Sequence, residues 1–181
     1  MPAEILSGIE INRAITRMGH EILERNKGCE ALCLIGIQRG GVHIAARLAD
    51  RIEAVESVRP PVGTLDIALY RDDISLKKEP PEIKQTDISI SLNDMKVVLV
   101  DDVLFTGRTI RAAMNAMMDF GRPALIQLAT LIDRGHRELP IKADYVGKNI
   151  PTAHGEFIKV FYSEEGETDR VMLLKEGEIP E

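Results

Sequence analysis

Two adjacent carboxylates, Asp101 and Asp102, stand between a run of apolar residues and a turn rich in hydroxyls. The run Val97, Val98, Leu99 and Val100 reads as a buried parallel strand. Val103, Leu104 and Phe105 follow the acidic pair, and Thr106, Gly107, Arg108 and Thr109 open an amphipathic helix. Backbone N–H groups, two hydroxyls and the positive end of a helix dipole make such a turn a place for a phosphate. Carboxylates accept hydrogen bonds from sugar hydroxyls, so the thirteen positions 97–109 together suit a phosphorylated sugar. No Gly-x-x-x-x-Gly-Lys-Ser/Thr spacing occurs, which sets this turn apart from the nucleoside-triphosphate loop.

A second loop, Gln38-Arg39-Gly40-Gly41, pairs a fixed cation with two glycines at the end of another apolar run. Glycine lets backbone N–H groups approach an anion, and arginine grips phosphate with two parallel bonds. The elements that must position these loops alternate. A helix is expected over 9–26, with Ile11, Ile15, Met18 and Ile22 on one face, followed by a strand over 31–37 and a helix from the 36–41 loop to about 54. A strand over 62–69 and a long polar segment over 71–91 come next. Then follow the strand of the acidic pair, a helix with Ile110, Ala113, Met114 and Met117 inward, and a stop at Gly121-Arg122-Pro123. A strand over 124–132 leads to short strands over 141–181, with turns at Gly147, Gly155, Glu165-Gly166 and Gly177. This is one α/β domain over 1–181, with a parallel central sheet, a core at about 5–152 and a small C-terminal appendage. Ligands of such sheets lie beyond the strand C-termini, where the loops 36–41, 101–109 and 133–137 fall. The segment 71–91 has the length and polarity of a lid that excludes water.

Composition narrows the classes. The 181 residues carry a formal net charge of −6, which argues against indiscriminate nucleic-acid binding but not against a local basic patch. On the outer face of the first helix, Arg13, Arg17, His20, Glu24 and Lys27 lie opposite the apolar stripe, and His136, Arg137 and Lys142 form a second cluster. No apolar run approaches a membrane span, and the N-terminus lacks a signal-peptide core, so a cytoplasmic protein is expected. Cys29 and Cys33 read as packed reduced thiols.

The 97–109 stretch resembles the signature of phosphoribosyltransferases, which bind phosphoribosyl pyrophosphate (PRPP). Four segments narrow the resemblance to the PyrR family of pyrimidine-operon regulators that are also uracil phosphoribosyltransferases. They are AITRMGHE through RNKG (14–28), LDIALYRDD (65–73), the signature, and DRGHRELPIKAD with GKNIPT (133–152). The resemblance runs over about 5–152 and implies the type I phosphoribosyltransferase fold with a flexible lid loop and a hood. The implied reaction joins uracil to PRPP, giving UMP and pyrophosphate.

In that pattern Asp101 and Asp102 hold the ribose and stabilise an oxocarbenium-like state, and Thr106 to Thr109 take the 5′-phosphate. Gln38 to Gly41 form the pyrophosphate loop, and Arg71 with Arg134 joins the catalytic set. Asp133, Arg134, Lys148, Asn149 and Ile150 border uracil. Magnesium is expected through PRPP oxygens and waters, with no dedicated protein cage. Thr16, Arg17, His20, Arg25, His136, Arg137 and Lys142 match RNA-contacting positions, which implies binding to a pyrimidine-operon leader mRNA governed by UMP or UTP. A homodimer or higher homo-oligomer is expected, with no membrane and no DNA partner. Gly40 stands where the family pattern carries arginine, Ala153-His154 where Ser-Arg is frequent, and Lys142 where arginine is common. Two other readings share the signature: a nucleotide-sensing RNA regulator with vestigial catalysis, and a purine phosphoribosyltransferase.

Overall fold

Strand-forming runs that are apolar at every position need cover on both faces, and the chain supplies it. The computed structural model describes residues 2–70, 85–175 and 177–178. Its main sheet is parallel, five-stranded and ordered β3-β2-β4-β5-β6, from β2 (Leu32–Ile37), β3 (Val62–Leu65), β4 (Lys96–Leu104), β5 (Leu125–Asp133) and β6 (Tyr145–Asn149). Within β4 the side chains alternate between two cores. Val98 and Val100 join Ile11, Ile15 and Met18 of α1 (Gly8–Asn26) and Ile44 and Leu48 of α2 (Gly40–Glu56). Val97 and Leu99 join Ile110, Ala113 and Met117 of α3 (Arg108–Met117) on the other face.

A separate antiparallel sheet, ordered β1-β8-β7, forms the hood from β1 (Ala3–Ser7), β7 (Glu156–Phe161) and β8 (Arg170–Lys175). The expected appendage is therefore built from both ends of the chain, and Ser7 ends β1 while capping α1. Its hydroxyl accepts from the Glu10 N–H, and the Glu10 carboxylate accepts from the Ser7 N–H at 2.8 Å.

Three expectations are corrected. The strand expected over 62–69 stops at Leu65, because Asp66 turns its carboxylate back to accept from the Ala68 N–H at 2.9 Å and a 3-10 turn follows. Gly147 lies inside β6, not at a turn. A Cβ there would run into the Leu131 carbonyl oxygen, so the glycine admits close strand contact. Finally, β4 runs through the acidic pair to Leu104 because β5 continues to pair with it there, Asp101 against Thr130 and Leu104 against Asp133.

Of the expected lid, 71–84 and with it Arg71 lie outside the described residues. Residues 85–91 are anchored: Asp87 and Thr64 exchange backbone hydrogen bonds of 2.8 and 2.9 Å, and Ile88 and Ile90 pack against the α3-side core. That portion is a sheet margin.

Candidate active site

The strand order places the ends of β2, β4 and β5 side by side, and the three expected loops converge there. Asp101 is buried, and its Oδ1 accepts from the Asp102 N–H at 2.9 Å. Asp102 is half-buried, and its Oδ1 accepts from the Val103 N–H at 2.8 Å. Burial outweighs those hydrogen bonds and holds the Asp102 carboxyl above the ordinary aspartate range.

Two helices begin at this acidic pair, and neither N-cap residue supplies a side-chain cap, while Thr106 Oγ1 accepts from the Arg108 N–H at 3.3 Å at the start of α3. Arg39 precedes α2, and Gly107, in the left-handed conformation, precedes α3. By contrast, α1 lies away from the pair and carries a full capping box. An uncapped N-terminus leaves backbone N–H groups available to an anion. The 38–41 loop is pressed against β4: a Cβ on Gly40 would collide with Asp102 Oδ2, and one on Gly41 would collide with the Val100 carbonyl oxygen. The Gln38–Arg39 peptide is cis. Thr106 anchors the second loop, since its carbonyl oxygen accepts from the N–H groups of Glu138 and Leu139 at 3.0 and 3.2 Å.

Beyond β5, Asp133 accepts at Oδ1 from the Gly135 N–H and at Oδ2 from Arg137, while its carbonyl accepts from the Ile150 N–H at 2.8 Å. Arg134 is buried, donates to Thr152 Oγ1 at 2.9 Å and to the Glu156 carbonyl at 2.6 Å, and lies 4.0 Å over the Phe105 ring. Lys148 and Asn149 are exposed at the end of β6. The expected uracil residues thus share one wall, with Phe105 added to it.

The expected RNA residues divide. Thr16, Arg17 and His20 line a cavity of about 650 Å³ with Arg13 and Arg51, and Arg25 and Lys142 share an adjoining cleft. Arg17 also donates to the Val146 and Gly147 carbonyls at 3.1 and 2.6 Å, sealing the edge of β6. His136 and Arg137 turn inward. His136 Nε2 donates to the Thr152 carbonyl at 2.5 Å, and Arg137 donates to the carbonyls of Phe105 and Ile141 at 2.7 and 2.9 Å as well as to Asp133.

Sequence reasoning missed Tyr162, His43 and Arg47. Tyr162 is 2% exposed, and the same Gly40 Cβ point lies 2.9 Å from its hydroxyl. Arg47 of α2 donates to Glu164 and Asp169 and ties the hood down. The sequence signal was slight: an aromatic among charges in a segment outside the resemblance. Burial pushes the Cys33 thiol up to about 11, which leaves it inert.

Fold and site define a protein that places an acidic pair between two helix N-termini, and the Phosphoribosyl transferase domain family matches residues 3–165. The crystal structure of the hypoxanthine phosphoribosyltransferase of Trypanosoma cruzi superposes with a TM-score of 0.71 at 21% identity, covering 95% of this chain and 95% of its own. That likeness shows the fold. A Bifunctional protein PyrR from Caldicellulosiruptor bescii is 56% identical over 170 residues, 94% of this chain and 93% of its own length. One from Acetivibrio thermocellus is 59% identical over 158 residues, 87% and 86% of the two chains. The chain belongs to the PyrR family of phosphoribosyltransferases.

Proposed function

We propose that the protein transfers the phosphoribosyl group of PRPP to uracil, giving UMP and pyrophosphate, and that it also binds pyrimidine-operon leader RNA under the control of uridine nucleotides. One observation carries the catalytic part: Asp101 and Asp102 lie between the uncapped starts of α2 and α3. A sugar bearing a phosphate at one end and a pyrophosphate at the other fits that spacing of anion sites around a carboxylate pair. The 107–109 backbone and the Thr106 and Thr109 hydroxyls receive the 5′-phosphate, and the 38–41 backbone with Arg39 receives pyrophosphate. The carboxylates hold the ribose hydroxyls and stabilise positive charge developing at the anomeric carbon as the pyrophosphate bond breaks. Uracil enters against Phe105, Asp133, Arg134 and the end of β6.

Carboxylate and hydroxyl oxygens are suitable donors for magnesium, and two carboxylates are too few to hold it without substrate oxygens and waters. Bound with PRPP, the ion would neutralise charge on the departing pyrophosphate. The residues' own part is to orient the sugar and keep the carboxylates ionised. Asp101→Asn and Asp102→Asn should each lower turnover at least tenfold, about 1.4 kcal/mol of transition-state stabilisation. Near wild-type turnover in both would remove the assignment.

The regulatory part is supported by the cavity on α1, where Arg13, Arg17, His20 and Arg51 converge with Thr16 and outnumber the lining carboxylates Glu21 and Glu24. RNA loops and bulges are read by such local patches even on an acidic protein.

A further inference from the structure

The hood delivers a tyrosine to the acidic pair. Tyr162 follows β7, with its ring 4.9 Å from the His43 ring and 5.7 Å from the Arg47 guanidinium. Its hydroxyl is covered and makes no hydrogen bond among the described residues. A buried hydroxyl left unpaired costs stability, and phenylalanine would make the same apolar contacts without that cost. The oxygen points toward the catalytic carboxylates: the position of a Cβ on Gly40 lies 2.9 Å from the Tyr162 hydroxyl and closer still to Asp102 Oδ2. The space that a Cβ on Gly40 would take adjoins both oxygens. A larger residue at position 40 would drive its side chain into both.

We propose that Tyr162 is a positioning residue for the phosphoribosyl site, its hydroxyl donating to the Asp102 carboxylate as the 38–41 loop settles on pyrophosphate, so that the carboxylate is aimed at the ribose. Gly40 and Tyr162 form a matched pair: the glycine opens the space, and the tyrosine supplies the donor. The inference rests on the phosphoribosyl transfer argued above. Burial and the neighbouring Asp102 and Asp101 carboxylates hold the Tyr162 phenol well above its ordinary range, so it remains a donor at neutral pH. The other charged groups around the pair are Glu165 and Arg47, with His43 beside the tyrosine ring.

The test is Tyr162→Phe, which keeps the ring and its packing. The variant should melt no lower than wild type. Its kcat/KM for PRPP should fall about tenfold with KM for uracil unchanged, a split that loss of packing alone would not produce. Values within twofold of wild type would reduce Tyr162 to packing. Calorimetric titration of both proteins with PRPP and magnesium separates this claim from the base assignment. If wild type formed no UMP, the proposed reaction would fail, and Tyr162 would be judged on PRPP affinity alone. About tenfold weaker binding in the variant would sustain its role, and equal binding would overturn it.

Discussion

At the scale of single residues, the site sets function against stability. Burial raises the Asp102 carboxyl, so between its unfolded and folded pKa the native state holds the proton more tightly than the unfolded chain does. Stability is therefore lost as pH rises through that window, and at neutral pH the ionised group is a cost to the fold. Asp102→Asn removes the cost while retaining an acceptor for the Val103 N–H. Its melting temperature at pH 7 should rise by about 2–4 °C, the response of a domain this size to about 1 kcal/mol. An unchanged or lower melting temperature would deny that the carboxylate is strained by burial. Arg137 illustrates how residue type alone misleads. Its sequence position suggested an exposed cation, but its donors are spent on Asp133, Phe105 and Ile141, so truncating it would disturb the wall proposed for uracil as well as any RNA contact.

At the scale of elements, what could be read from sequence followed local physics. Continuous apolar runs marked the strands at 97–100 and 31–37, helical spacing marked α1, and the rule that ligands gather at strand C-termini brought 36–41, 101–109 and 133–137 together. A C-terminal appendage of short strands was legible, but not that the hood draws in the N-terminal strand, because β1 pairs with β8 across almost the whole chain and no short-range pattern encodes that. Tyr162, His43 and Arg47 escaped for the same reason. The clasp between α2 and the hood is itself testable. Arg47 draws the Glu164 and Asp169 carboxyls below their ordinary range, in Asp169 against the opposing pull of burial. Such groups add stability that is complete above their unfolded values of 4.5 and 3.8 and is lost as pH falls through the lower folded values. Arg47→Ala should cost about 1–3 kcal/mol at pH 7 and progressively less below about pH 4, measured by denaturant unfolding at each pH. A cost independent of pH would mean that the arginine acts by packing alone.

For the whole molecule, an overall charge of −6 coexists with an arginine-bearing recess on α1, lined by Arg13, Arg17 and Arg51 beside Glu21 and Glu24, and that contrast separates two surfaces. The proposed function places phosphorylated substrates at the strand ends and RNA on the outer helix face, remote in sequence from the acidic pair. Arg13→Ala with His20→Ala should weaken leader-RNA binding at least tenfold in gel shifts at fixed salt and leave uracil transfer within twofold. These two are chosen because Arg17 also seals the β6 edge. Binding equal to that of wild type, or no tighter than to an unrelated hairpin, would return the recess to ordinary surface. UMP should favour the RNA-binding form, and by reciprocity RNA should tighten UMP binding by the same factor. The most direct test of the central claim is an assay of the purified protein with PRPP and magnesium against uracil, hypoxanthine, guanine and xanthine in parallel. The account predicts pyrophosphate and UMP with uracil, little product with the purines, and at least tenfold less UMP from Asp101→Asn and Asp102→Asn. Turnover with a purine and none with uracil would contradict it.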